Sequence, residues 1–231
     1  MNRQATRKPL GIRVVTFIAT IFFLTLPILS IAQDARENRW EATIRKFAEQ
    51  DRADPPPKGE VLFIGSSSIR NWDLKKSFPH DNFINRGFGG SEIADSTTFA
   101  DRIALPYKPR AIVMYAGDND IFRGKTPKEV SDDFDSFVKL IHASAPETRI
   151  VFIAIKPSIA RWSLVDKVRE ANELIQSNIR KDARLAYVDI DKPMLGDDGR
   201  PREDLFVKDG LHLSEAGYEL WTFLVKPHLA K

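Results

Sequence analysis

The chain contains no cysteine, which excludes a disulfide framework and a leader anchored through a lipidated cysteine. Histidine is scarce, at four in 231 residues, so the candidate imidazole bases can be weighed one at a time. There is no Gly-x-Ser-x-Gly elbow of the α/β-hydrolase kind, no internal repeat and no low-complexity run. A lasting excess of positive charge is missing too. Four of the 35 basic side chains and none of the 32 acidic ones lie in residues 1–32, so the remainder carries 31 against 32, a net of −1. Nothing in that balance points to nucleic acid or an anionic membrane surface as partner.

What the first 32 residues do have is a leader pattern. Arg3, Arg7, Lys8 and Arg13 precede an uncharged stretch from Val14 to Gln33, with small residues at Ser30 and Ala32. That is the layout of a secretory signal peptide. The apolar stretch also approaches the ~17–25 residues that span a bilayer, so an uncleaved N-terminal anchor is the other reading. Either one places the rest of the chain outside the cytoplasm, as a periplasmic or secreted protein, with membrane contact only through an uncleaved leader. Residues 33–58 are expected to form an amphipathic helix, with Trp40, Ile44 and Phe47 on one stripe, and a linker through Pro55-Pro56-Pro57. A single domain is expected over 59–231.

Within that domain short apolar runs at 61–64, 82–84, 111–115, 150–155 and 185–190 alternate with helix-like stretches near 67–76, 91–103, 127–143, 163–181 and 215–226. Strand–helix alternation predicts a parallel sheet covered on both faces. With about five strands this is a flavodoxin-like α/β/α sandwich. In such sheets ligands bind beyond the carboxyl ends of the strands, so the residues following each run matter most. They are Gly65-Ser66-Ser67-Ser68, then Asn85-Arg86-Gly87-Phe88-Gly89-Gly90-Ser91, then Gly117-Asp118-Asn119-Asp120, then Lys156-Pro157-Ser158 and, before the last helix, Asp209-Gly210-Leu211-His212.

Each cluster admits an ordinary reading. Serines after a strand are common helix caps, yet a serine at such a turn also suits a nucleophile. Gly89-Gly90 lets a backbone N–H approach a ligand because neither residue has a Cβ. Against a dinucleotide fingerprint, Glu92 stands where its third glycine would, and no acidic residue convincingly closes a following strand. Asn119 is either a turn former or a side-chain amide donor. Asp118 and Asp120 lack a third ligand at metal-binding spacing. Of the histidines, His80 lies in a turn, His142 late in a helix and His228 at a helix end. His212 differs, because Asp209 three residues earlier can reach its Nδ1–H and turn Nε2 toward a nucleophile.

Taken in order, Gly65-Ser66-Ser67, the run Asn85 to Gly90, Gly117-Asp118-Asn119-Asp120 and Asp209-Gly210-Leu211-His212 resemble the four sequence blocks of the SGNH (GDSL-type) hydrolase superfamily. The spacing is similar to that of its bacterial branch related to platelet-activating-factor acetylhydrolase catalytic subunits, over about residues 59–230. The resemblance implies the SGNH hydrolase fold, with Ser67 as nucleophile, His212 as general base and Asp209 as its orienter. It implies an oxyanion hole of the Ser67 and Gly90 N–H groups and the Asn119 amide, and no metal or organic cofactor. Ser66 departs from the family, which commonly has aspartate there, and leaves a second serine as a rival nucleophile. The implied activity is a serine esterase. With no long apolar lid segment between the blocks, short acyl chains are expected, acetyl above all, on a small molecule or a glycan. Lys156 and Arg161, with Trp162, are candidates for the pocket wall. A catalytically idle glycan-binding module on the same fold is the alternative, and the sequence carries no sign of oligomeric state.

Overall fold

Five parallel strands make one sheet in the order β2-β1-β3-β4-β5. The computed structural model describes Met1 and residues 26–229, with side chains from Arg39 onward. Most of the expected leader over 1–32 lies outside those residues, and among the described residues no helix is long and apolar enough to cross a membrane. The chain divides into two units, Met1–Arg36 and Glu37–Lys231, and the whole sheet belongs to the second. In chain order the elements are α1 (Leu26–Ala53), β1 (Val61–Gly65), α2 (Ser67–Arg70), α3 (Leu74–Ser77), β2 (Ile84–Gly87), α4 (Ile93–Thr98), α5 (Ala100–Ile103), β3 (Ala111–Tyr115), α6 (Asp118–Phe122), α7 (Pro127–Ser144), β4 (Arg149–Ile153), α8 (Val165–Ile179), β5 (Leu185–Val188) and α9 (Glu215–Val225).

The apolar runs read as continuous because helices cover both faces of the sheet. Side chains alternate across it. Leu62, Ile64, Ile112, Met114, Ile150 and Phe152 pack with Trp40, Ile44, Phe134, Phe137 and Ile175 on one face. Val61, Phe63, Val113, Tyr115, Val151 and Ile153 pack with Trp72, Trp221 and Val225 on the other. This is the expected α/β/α sandwich. Helix α7 shows why local sequence specifies its element. Thr126 caps it in a box with Glu129, Pro127 occupies the first turn, and Val130, Phe134, Phe137 and Ile141 are all buried.

Strand order reverses between β1 and β3, which lie side by side while the chain goes from β1 first to the outer strand β2. That switch point opens a crevice at the carboxyl ends of the two central strands. The tight turn there belongs to Gly65, whose φ of +134° lies in a region that side chains rarely adopt. It delivers the chain from β1 directly into α2.

Candidate active site

The first residue of α2 is Ser67, and Ser66 stands at the cap position. The Ser66 hydroxyl makes no capping bond, so the three serines are not explained as a cap. Ser66 and Ser68 are buried, at 3% and 1% exposure, while Ser67 is partly exposed. From the far end of the chain His212 brings Nε2 to 3.0 Å from Ser67 Oγ. Its Nδ1 lies 2.6 Å from Asp209 Oδ2. A carboxylate can only accept, so the proton sits on Nδ1 and Nε2 is left to accept from the serine hydroxyl.

Asp209 is itself fixed. Its Oδ1 accepts the backbone N–H groups of Leu211 at 2.8 Å and of His212 at 2.9 Å. The Gly210 N–H donates to Val207 O and the Val207 N–H to His212 O, which closes the loop on itself. The hydrogen bond from His212 and these backbone donors hold the Asp209 carboxyl down at about 2. It therefore stays ionised, and keeps the imidazole oriented, throughout the neutral and mildly acidic range. His142 instead places Nε2 3.0 Å from Thr148 O, and His80 is exposed.

The other two blocks close on each other beyond the carboxyl end of β3. Asn119, in α6, donates from Nδ2 to Ser91 O at 2.9 Å, tying β3's carboxyl end to the Gly89-Gly90 turn. Gly90 has φ +77°, a left-handed turn that suits glycine. Among the described residues the backbone N–H groups of Ser67 and Gly90 donate to no other group. The second hydrogen of the Asn119 amide is likewise uncommitted.

Lys156, expected at the pocket wall, lies beneath the site instead. It is 2% exposed and donates to Tyr115 Oη and Asp118 Oδ2, both at 2.9 Å. A buried ammonium needs such partners. Burial alone would raise the Asp118 carboxyl, but Lys156 and Arg161 outweigh it and hold it below its ordinary value. Arg161, the other residue expected at the pocket wall, is partly buried against α6. It donates to Asp118 Oδ1 at 2.7 Å and, from both terminal nitrogens, to Asn119 Oδ1 at 3.3 Å. Those bonds fix which end of the Asn119 amide is oxygen and which is nitrogen, and so leave its N–H groups facing away from Arg161. Trp162 is half-buried next to it.

Asp120 is fully buried, with Oδ1 accepting from Ile93 N at 3.2 Å and Lys125 Nζ at 3.0 Å. Its Oδ2 has no hydrogen-bond partner among the described residues. Lys125 is shared with Glu92 and Asp133, so burial prevails and pushes the Asp120 carboxyl up to about 6. An unfolded chain releases that proton nearer its ordinary 3.8. The stability it contributes is therefore complete below about pH 4 and lost as pH rises through about 6, a difference of up to about 3 kcal/mol. In urea unfolding the wild type is expected to lose roughly that amount relative to Asp120→Asn between about pH 4 and about pH 7. Parallel pH curves for the two proteins would show instead that Asp120 ionises normally.

Among the described residues no group of three or more His, Cys, Asp or Glu side chains is placed to hold a metal ion. Three arginines have no counterpart in the sequence motifs. Arg39, Arg70 and Arg123 come from separate elements and gather over the Gly89-Gly90 turn. Only the position of Arg70, three residues beyond Ser67 on the same helical face, carries a signal.

A search of curated proteins finds no match. Solved structures similar to this chain include a protein from Streptococcus pneumonia named as a platelet activating factor. It is 19% identical with a TM-score of 0.74, over 90% of this chain and 99% of that one. A GDSL-like lipase from Bacteroides thetaiotaomicron is 19% identical with a TM-score of 0.69, over 81% and 97%. A lipase/acylhydrolase from Enterococcus faecalis is 20% identical with a TM-score of 0.61, over 74% and 97%. At these identities the likeness speaks for the fold. The activity follows from the sequence family: the profile of the GDSL-like lipase/acylhydrolase family matches residues 65–220, well over half the chain, and the chain belongs to that family of carboxylic ester hydrolases.

Proposed function

We propose that this esterase works through a Ser67–His212–Asp209 triad on short-chain esters, acetyl esters above all, of the kind carried by acetylated glycans outside the cytoplasm. The observation that carries the triad is the continuous chain of contacts from Asp209 through both ring nitrogens of His212 to the hydroxyl of Ser67. Ser67 Oγ attacks the ester carbonyl as His212 Nε2 takes its proton, and Asp209 stabilises the imidazolium. The oxygen of the tetrahedral intermediate accepts from the N–H groups of Ser67 and Gly90 and from the Asn119 amide. Each such donor is typically worth ~100–1000-fold in rate. His212 returns the proton to the leaving alcohol, then activates the water that frees the acid from Ser67. The short acyl preference rests on the absence of a long apolar segment between the motif blocks. The extracytoplasmic setting rests on the leader pattern of residues 1–32.

A serine-reactive fluorophosphonate and para-nitrophenyl acetate test the site together. Ser67→Ala is expected to abolish both labelling and turnover, and Ser66→Ala to keep both, since Ser66 is buried and His212 Nε2 is bonded to Ser67. Labelling that survives in Ser67→Ala but not in Ser66→Ala would move the nucleophile to its neighbour. A series from acetate to octanoate esters reads the acyl preference, with rates expected to fall as the chain lengthens.

A further inference from the structure

The turn at Gly89-Gly90 is crowded by positive charge. A β-carbon at Gly89 would lie 2.1 Å from Arg70 Nη1, and one at Gly90 would lie 3.6 Å from Arg39 Nη2 and 3.8 Å from Arg123 Nη2. These three guanidinium groups come from α2, α1 and the residue just after α6. Like charges repel, so their convergence on one partly exposed turn costs energy unless something offsets it.

The carboxylates of this region offset only part of that charge. Arg123 is paired with Glu92 at 2.8 Å, and Arg161, on the Asn119 side of the site, is paired with Asp118. Glu92 is also shared with Lys125, and Asp118 with Lys156. Asp209 faces His212. Arg70 donates from Nε only to its neighbour Asn71, at 3.1 Å. Arg39 stacks over Trp40, 4.6 Å from the ring centroid. Among the described residues neither Arg39 nor Arg70 has a carboxylate partner, and both are exposed. Among the described side chains, then, two guanidinium groups without a carboxylate partner lie against the Gly89-Gly90 turn.

We propose that Arg39 and Arg70 form an anion-recognition subsite, and that the preferred substrates are esters whose alcohol portion carries a carboxylate. This rests on the reading of Gly90 as an oxyanion donor, which puts the bound ester beside the two arginines. The guanidinium fork matches the two oxygens of a carboxylate. The acetyl group of the proposed substrates carries no charge, so the charge belongs on the alcohol. The same pair of cations speeds the encounter with an anionic substrate at low ionic strength.

The test uses the full chain with meta-acetoxybenzoate and its neutral partner meta-acetoxybenzamide. In the wild type kcat/KM is expected to be about tenfold higher for the benzoate at low salt, with the preference shrinking as sodium chloride is added. The Arg39→Gln/Arg70→Gln variant should bring the ratio near one while the benzamide rate changes by less than about twofold. Each single replacement should lower the ratio part of the way, which guards against a double variant that folds poorly. Equal rates for the two esters in wild type at low salt, or a double variant that slows both alike, would overturn the subsite. Loss of benzamide turnover in Ser67→Ala reports the catalytic site separately, so the triad can stand where the subsite falls.

Discussion

Replacing His212 by alanine is expected to lower kcat for an acetyl ester by about 10⁴-fold or more. The reason lies in the geometry of a single ring. Nε2 is 3.0 Å from Ser67 Oγ, so the imidazole is the group placed to take the hydroxyl proton, and without it the serine attacks as a poorly nucleophilic neutral alcohol. Binding should suffer little, because the loss falls on a proton transfer made in the transition state and KM is expected to move far less than kcat. Ser67→Ala and the Ser67→Ala/His212→Ala pair should reach the same floor as His212→Ala, since the two side chains act as one unit. A double variant slower than either single by the product of their losses would show that they act independently, and the triad would fail. Steady-state rates with para-nitrophenyl acetate across the three variants make the measurement.

The strands are legible in the sequence because both faces of the sheet are covered, so Val61–Ile64, Ala111–Tyr115 and Ile150–Ile153 carry no polar interruption. The second strand reads weakly, as 82–84, and the structure puts it at Ile84–Gly87. Arg86 disguises it. That side chain is 8% exposed and bonded to Asp51 and Tyr107, a distant pairing that no local pattern announces. The helix expected over 67–76 splits in two because Trp72 turns inward and Asp73 starts a new helix by accepting from Lys76 N. Helix α6 gives no helical signal at all. With Gly117 before it and aspartates at 118 and 120, it reads as a turn. The site itself is legible wherever its parts are local, as with Asp209 and His212 three residues apart. What joins 67 to 212 across the fold, or buries Lys156 beneath the site, depends on tertiary packing. So does the gathering of Arg39, Arg70 and Arg123, whose elements share nothing in sequence.

Gly65→Ala is expected to destabilise the fold by more than about 4 kcal/mol, a size reserved for a backbone that cannot accept the new side chain. At φ +134° an added β-carbon would sit 1.9 Å from the carbonyl oxygen of Tyr115 and 2.7 Å from its carbonyl carbon. Both are backbone atoms of the neighbouring strand, with Gly65 and Tyr115 paired in register, so no side-chain rotation relieves the clash. The same carbonyl accepts from Ser66 N at 2.9 Å, and Gly65 O accepts from Phe88 N at 2.9 Å. Pushing the strands apart would therefore disturb two anchors of the site at once, the turn into Ser67 and the loop that ends in Gly90. Gly199→Ala is the control. Its φ of +71° is also positive, but nothing lies within 4 Å of the new β-carbon, and a cost of about 1 kcal/mol is expected from the backbone alone. Urea unfolding of both variants separates strain from collision. If Gly65→Ala unfolds no more easily than Gly199→Ala, the close approach of β1 and β3 at this turn is not what holds Ser67 in place.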